Sequence, residues 1–228
     1  MKTTIQTPTP NLQQSLDFYQ KLGFQIIKEG DLVWVSDGGT IIEINANNLA
    51  RAGVKLYSDN WEDTINSLDS SYHYIKTAEG YIINDPSGCW IYLIERTDSG
   101  FILPEEKTGI LGNYAGISLE SLAFEQSIAL WKHLGFSVSM GSADQGWICL
   151  TNPEGTTISI MKALICPHLF FNPSLSYFNS GNNPAIISKI KDLQIPITEE
   201  ITVFNTDGAV DNIIIRDPGG LGFFIFND

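Results

Sequence analysis

The sequence predicts an α+β protein of four βαβββ units, arranged as two tandem halves. Three observations carry that prediction. A strand–turn–strand device is written twice, as Ile82-Ile83-Asn84-Asp85-Pro86-Ser87-Gly88-Cys89-Trp90-Ile91-Tyr92 and as Ile213-Ile214-Ile215-Arg216-Asp217-Pro218-Gly219-Gly220-Leu221-Gly222-Phe223-Phe224. A helix with its exit also recurs: Ser127 to Phe136 repeats the pattern of Ser15 to Phe24, 112 positions later, with Tyr19 and Trp131 in register and the same Leu-Gly-Phe ending. Finally, one helical segment followed by three strand segments recurs along the chain, the signature of duplicated supersecondary units.

The first unit opens with a strand over Lys2–Thr7, stopped by Pro8 and Pro10, and Asn11 is suited to cap the helix that follows. Leu12, Ser15, Leu16, Phe18 and Tyr19 fall at helical spacing. Gly23 releases the chain into strands at Phe24–Lys28, Leu32–Ser36 and, after a Gly38-Gly39 turn, Thr40–Ile44. The second unit has a strand at Val54–Ser58 and a helix marked by Trp61, Thr64, Ile65 and Leu68. Its remaining strands fall at Tyr72–Thr77, Gly80–Asn84 and Cys89–Glu95. In the turn before that last strand, Pro86 presets φ and Gly88 accepts a left-handed backbone.

Residues from Thr97 to Gly112 are rich in Gly, Pro, Asp and Glu and read as a connection. The third unit has a strand at Asn113–Leu119, a helix over Ser121–Leu134, and strands at Ser137–Met140, Gly146–Thr151 and Thr156–Met161. The fourth enters irregularly through Ala163–Pro173 and makes a strand at Ser174–Phe178. Its helix begins near Asn182 with Pro184 in the first turn, and strands follow at Thr198–Phe204, Asp211–Arg216 and Leu221–Asn227. The expected domains are 1–98 and 110–228, joined by a linker at 99–109.

Composition narrows the partners. With 13 basic against 26 acidic residues the net charge is -13, which repels phosphate backbones and anionic bilayers, so neither nucleic acid nor membrane is an expected partner. Met1 to Pro8 holds no apolar run of the kind a signal peptide needs. Cys89, Cys149 and Cys166 are odd in number, widely spaced and set mostly in apolar runs, as reduced thiols of a cytoplasmic protein would be.

The helix motif Asn11-Leu12-Gln13-Gln14-Ser15-Leu16-Asp17-Phe18-Tyr19 ahead of Leu22-Gly23-Phe24, together with the two Asp-Pro-x-Gly hairpins, resembles the vicinal oxygen chelate superfamily. That superfamily includes glyoxalase I, bleomycin- and fosfomycin-resistance proteins and type I extradiol dioxygenases. The resemblance covers the whole chain and implies cup-shaped mixed sheets, each with a ligand pocket in its concavity. In metal-dependent members, His, Gln or Glu ligands come from the first strand of a unit and from the last strand, just past the turn. Carried over, those positions fall on Thr4 or Gln6 and on Glu43 in the first unit, and near Gly53 and on Tyr92 in the second. They fall on Gly116 and Ser159 in the third, and on Leu175 and Phe224 in the fourth. Only Glu43 and Gln6 among them would bind a metal, so no cofactor is expected; a divalent metal is chemically possible, but its usual ligands are missing.

Strand alternation places Glu43 on the face opposite Ile42 and Ile44, which makes it the candidate catalytic base or ligand if that face lines a cup. Trp34, Trp90, Tyr92, Trp147, Phe224 and His168 are the candidate ligand-binding residues, although the rings would serve equally well as core. Trp34 and Trp147 occupy roughly equivalent strands of the first and third units. His73 reads as an edge residue and His133 as a surface residue near a helix C-terminus. The expected function is that of a glyoxalase/bleomycin-resistance-type protein binding a small molecule in an aromatic cup, without an intact metal-ligand set. The alternative is a metal-dependent lyase or isomerase resembling lactoylglutathione lyase, or a dioxygenase relative, using Glu43. A third reading is a degenerate interaction module. A monomer or a homodimer is compatible with four units in one chain.

Overall fold

The protein is seen here in a computed structural model that describes residues 1–30, 32–96 and 100–227. Its elements follow the predicted order. The first unit comprises β1 (Lys2–Pro8), α1 (Leu12–Lys21), β2 (Gln25–Lys28), β3 (Val33–Ser36) and β4 (Ile41–Asn45). The second comprises β5 (Gly53–Ser58), α2 (Glu62–Asn66), β6 (Tyr74–Thr77), β7 (Gly80–Asn84) and β8 (Trp90–Glu95). The third has β9 (Asn113–Ser121), α3 (Phe124–His133), β10 (Ser137–Ser142), β11 (Trp147–Thr151) and β12 (Thr157–Lys162). The fourth has β13 (Ser174–Phe178), α4 (Asn183–Asp192), β14 (Ile197–Ile201), β15 (Asn212–Arg216) and β16 (Gly222–Phe226).

Several boundaries differ from the sequence reading, and three of them have a clear local reason. The third helix starts at Phe124 rather than Ser121, because Ser121 is still paired with Lys162 at the end of β9. The sixth strand starts at Tyr74 rather than Tyr72, whose N–H instead closes a turn on the Asp69 carbonyl at 3.0 Å. The strand predicted to reach Phe204 stops at Ile201, where Asn205 N–H bonds the Thr202 carbonyl at 3.0 Å and turns the chain. The expected end of the first domain at 98, the first linker residue, 99, and the last residue, 228, lie outside the described residues.

The units pair into two eight-stranded mixed sheets, ordered β2-β3-β4-β1-β5-β8-β7-β6 and β10-β11-β12-β9-β13-β16-β15-β14. Within a unit the first strand runs parallel to the last, with Gln6 opposite Glu43 in one sheet and Ser118 opposite Ser159 in the other. Antiparallel pairing of β1 with β5 and of β9 with β13 joins the units. Alternation then gives each sheet an apolar face toward the helices and a second face toward the concavity. Ile42, Ile44, Val54 and Leu56 lie on the first kind of face, as do Ile158, Ile160, Leu175 and Tyr177, and all are buried in one continuous core.

That core runs between the two halves. Phe18 and Tyr19 of α1 pack on Phe223 of β16 at ring separations of 5.9 and 6.2 Å. The repeated hairpins also cross between halves. Asp217 Oδ2 accepts the Thr7 hydroxyl at 2.7 Å and the Tyr19 hydroxyl at 2.9 Å, and Asp85 Oδ1 accepts the Ser127 hydroxyl at 3.0 Å. A side chain at Gly219 would collide with the Pro8 carbonyl, so only glycine lets this hairpin seat against β1. Burial pushes the Asp217 carboxyl up to about 6 against these hydrogen bonds, and moves Asp85 in the same direction. The connecting segment is fastened as well, through Thr108 N–H to the Asp37 carbonyl and Ile110 N–H to the Leu22 carbonyl, both at 3.0 Å.

Candidate functional site: two unlike cups

In the first sheet, Gln6, Glu43, Lys55 and Tyr92 stand side by side across β1, β4, β5 and β8 on the concave face. Lys55 Nζ bonds both carboxylate oxygens of Glu43, at 2.7 Å to Oε1 and 2.6 Å to Oε2. The two side chains are only 9% and 1% exposed. Asn45 Nδ2 donates to Glu43 Oε1 at 3.2 Å and to Gln6 Oε1 at 3.1 Å, which ties the amide of Gln6 into the same network. Gln6 Nε2 and the Tyr92 hydroxyl both donate to the Arg51 carbonyl, at 2.9 and 3.1 Å. Trp34 and Tyr92 flank the ammonium at 5.8 and 5.7 Å from their ring centres. Burial, the largest influence, pushes the Tyr57 hydroxyl up to about 12, although its bond to Thr4 acts the other way.

Two adjoining cavities of about 340 and 330 Å³ share Leu32, Glu43, Lys55, Glu79 and Ile94 in their linings, so the ion pair sits between them. Trp34, Tyr57 and Phe101 wall one; Gln6, Tyr81 and Tyr92 wall the other.

The second sheet places Ser118, Ser159, Ser176 and Phe224 at the positions equivalent to Gln6, Glu43, Lys55 and Tyr92. The Ser118 and Ser176 hydroxyls bond each other at 2.7 Å, and Cys149 Sγ meets Ser159 Oγ at 3.1 Å. Over this floor lies a cavity of about 170 Å³ walled by Phe170, Phe178, Phe224 and Phe226, with Met161, Cys166 and His168 completing it. His168 comes from the irregular entry to β13 and sits among rings, 5.4 Å from Phe226, 5.5 Å from Phe224 and 6.1 Å from Phe170. Its Nδ1 lies 2.7 Å from the Leu169 carbonyl; that contact holds the imidazole over the rings.

These donor sets do not fit a divalent ion. In the first cup a side-chain ammonium already spans both oxygens of Glu43, where a metal would have to stand. In the second, the equivalent positions offer three hydroxyls and a phenyl ring. Among the described residues, no three His, Cys, Asp or Glu side chains converge on one point.

Eight-stranded sheets built from paired βαβββ units, with parallel first and last strands around a concavity, decide the architecture. The chain has the two-domain vicinal oxygen chelate fold of the extradiol dioxygenases. It superposes on the 2,3-dioxygenase LapB from Pseudomonas sp. KL28 with a TM-score of 0.61 at 16% identity, covering 99% of this chain and 91% of that one. Homoprotocatechuate 2,3-dioxygenase from Arthrobacter globiformis gives 0.63 at 14% identity, over 99% and 78%. A single-residue variant of the homoprotocatechuate 2,3-dioxygenase from B. fuscum, in complex with HPCA, gives 0.65 at 14% identity, over 99% and 70%. No family model and no curated protein sequence matches the chain. No helix among the described residues is long and apolar enough to cross a membrane.

With the fold in place, the predicted site residues separate. Glu43, Gln6, Trp34 and Tyr92 meet in the first cup, and Phe224 and His168 meet in the second. Trp90 and Trp147 are half-buried and stand outside these cavity linings. Trp34 pairs with Glu43 as Cys149 pairs with Ser159, so the true counterpart of Trp34 is Cys149, and Trp147 lies two residues away along the strand. Leu175, carried over as a ligand position, points into the core; its neighbour Ser176 faces the cup, a one-residue slip that exchanges faces. Gly53 lies two residues from Lys55, the residue that reaches the centre of the first cup. Lys55 is the functional residue the sequence reading missed. Its signal was present, since Val54 and Leu56 alternate with Lys55 as Ile42 and Ile44 do with Glu43. His73 is exposed just before β6, and His133 Nε2 lies 2.8 Å from the Thr64 carbonyl across the halves.

Proposed function

We propose that the chain is a metal-independent binding protein whose second cup takes a small aromatic molecule. The observation that carries this reading is the cavity itself: about 170 Å³, walled by phenyl rings and floored by the Ser118–Ser176 hydroxyl pair. An apolar cavity of about 150 Å³ is enough to hold a benzene-sized molecule. One hydroxyl of the floor would bond a polar substituent while the rings exclude water. The names of the fold neighbours, catechol and homoprotocatechuate dioxygenases, agree with a ring-bearing ligand of this size.

The enzymatic alternative, a lyase, isomerase or dioxygenase relative built on Glu43, needs that carboxylate to be available, and Lys55 occupies both its oxygens. Each cup is completed by residues of one chain, so a monomer suffices, and a symmetric homodimer remains compatible. Three free cysteines fit a reducing, cytoplasmic setting. The domain division we propose is 1–98 and 110–228, which assigns the sheet of one cup to each domain, with Phe101 of the linker reaching over the first.

Calorimetric titration with phenol tests the reading. Wild-type protein should bind phenol, and Ser176→Leu, which fills the floor, should abolish binding while leaving the circular dichroism unchanged. Absence of phenol binding by the wild type, or a stoichiometric divalent ion in the purified protein, overturns it.

A further inference from the structure

We propose that the ring taken by the second cup carries an aliphatic chain, which lies on an apolar lip at the cavity mouth; the proposal rests on the reading of that cup as an aromatic site. Three segments bring exposed apolar side chains to the edge of the cup. Met140 of β10 is paired with Cys149, and Cys149 with Ser159 of the cavity lining, so Met140 stands on the concave face at its outer edge. Leu164 and Ile165 immediately precede Cys166, and Leu169 follows His168, two more residues of the lining. Phe204 comes from the turn after β14, with its ring 6.2 Å from that of His168. Single exposed apolar residues are ordinary, but a group of them gathered beside a pocket marks a binding surface.

The backbone adds a second, independent sign. In the turn closed by the Ile165 N–H on the Lys162 carbonyl at 3.3 Å, Leu164 has φ 67, a left-handed backbone that a leucine adopts only at a cost. That strain holds a side chain that is 89% exposed. Neither the strain nor the exposure helps the fold, and both are expected where a surface is shaped for a ligand. The lip is also fastened: Glu120 accepts the Leu164 N–H at 3.1 Å, and Glu199 accepts the Leu169 N–H at 2.7 Å. Size then chooses the occupant. A cavity of about 170 Å³ is filled by one ring. With the polar substituent of that ring on the Ser118–Ser176 floor, a group at its opposite end leaves through the mouth and meets the lip. A hydrocarbon chain gains there by leaving water. At the edge of the first cup the place of Met140 is taken by Lys28, paired with Trp34, so the two edges differ in the same sense as the two floors.

Calorimetric titration with phenol and with 4-butylphenol tests the proposal. A methylene fully removed from water contributes about fourfold in affinity, and a lip covers one side of the chain, so wild type should bind 4-butylphenol at least about tenfold more tightly than phenol. Phenol should displace 4-butylphenol, and Ser176→Leu should abolish binding of both. The triple variant Leu164→Ser/Leu169→Ser/Phe204→Ser, at exposed positions, should keep the affinity for phenol and lose the gain from the chain. Equal affinity for the two probes in the wild type, retention of the gain in the folded triple variant, or 4-butylphenol binding that survives Ser176→Leu overturns the proposal, while phenol binding leaves the aromatic reading in place. Absence of phenol binding overturns the reading beneath it. A wild-type dimer that the triple variant converts to monomer would assign the lip to a second copy of the chain and overturn the proposal as well.

Discussion

The two cups occupy the same four registered positions and share almost no chemistry there. Gln6, Glu43, Lys55 and Tyr92 build a network of charges and amides, whereas Ser118, Ser159, Ser176 and Phe224 build a small apolar chamber with a hydroxyl floor. On the opposite face of the same strands the halves agree: Ile42, Ile44, Val54 and Leu56 match Ile158, Ile160, Leu175 and Tyr177 as buried apolar residues. The comparison teaches that this fold is specified by the helix-side face of each strand. The concave face is free to change chemistry because alternation decouples it from the core.

The largest effect should come from breaking the ion pair on one side only. Lys55→Met leaves Glu43 buried and uncompensated, which should cost about 3–5 kcal/mol of stability. Lys55→Met/Glu43→Leu should recover most of that, because a buried pair contributes little net stability once both desolvation costs are counted. Urea unfolding of the two variants against wild type checks this. Similar losses in the single and the double variant would show that the charges are held by something other than each other. In the second cup, the corresponding Ser176→Met should produce no comparable penalty, since no charge is left behind.

The next comparison is between the two hairpins that latch the halves. Asp217 has its folded-state carboxyl at about 6, above the ordinary 3.8, so the folded state binds its proton more tightly than the unfolded state does. A raised carboxyl of this kind stabilises the fold below the unfolded value, and that contribution is lost as pH rises through the folded value. Here the window runs from about pH 4 to 6, and the loss is about 3 kcal/mol on conversion of the shift. Asp217→Asn cannot ionise. At pH 4 it should be the less stable protein, having lost acceptor capacity toward Thr7 and Tyr19, and its deficit should narrow as pH rises toward 7. Asp85→Asn should behave with the same sign at the other latch, where Ser127 is the partner. Denaturant unfolding across this pH range reads both, and a deficit independent of pH would refute the burial argument.

Much of this fold was legible because its signals are local and repeated. Asp85-Pro86-Ser87-Gly88 and Leu22-Gly23-Phe24 are turn and helix-exit chemistry, and each has a copy in the other half. Glu43 was legible as an inward carboxylate from its two flanking isoleucines. Its partner was not reached because the position carried over from the resemblance fell near Gly53, and a β-strand reading that is two residues off keeps the face but changes the side chain. Leu175 failed by one residue, which changes the face as well. His168 posed a different difficulty: it lies in the irregular segment before β13, where no periodicity fixes direction, and only tertiary packing brings it against Phe224 and Phe226. The crossing of the hairpins between halves was likewise invisible, since Thr7 and Asp217 are 210 positions apart.

The smallest expected effect concerns the repeated helices. In α1 the Asn11 side chain, extended at φ -151 and ψ 109, accepts the Gln14 N–H at 3.1 Å. In α3 the cap is Ala123, with φ -106 and ψ 57 and no side-chain bond to the first turn. The Ser121 hydroxyl accepts the Ala123 N–H at 3.2 Å, one step before the helix begins, and the Ser127 hydroxyl at 2.8 Å. Asn11→Ala should therefore cost about 1 kcal/mol, the ordinary value of an exposed cap. Ala123→Asn should return less than that, because the backbone at 123 lies away from the extended geometry that aims a cap side chain at the first-turn N–H groups. Urea midpoints of the two variants measure the asymmetry. A gain at Ala123 as large as the loss at Asn11 would mean that the third unit tolerates the cap geometry of the first, and that its missing cap reflects drift rather than a constraint from the seating of α3 against Asp85.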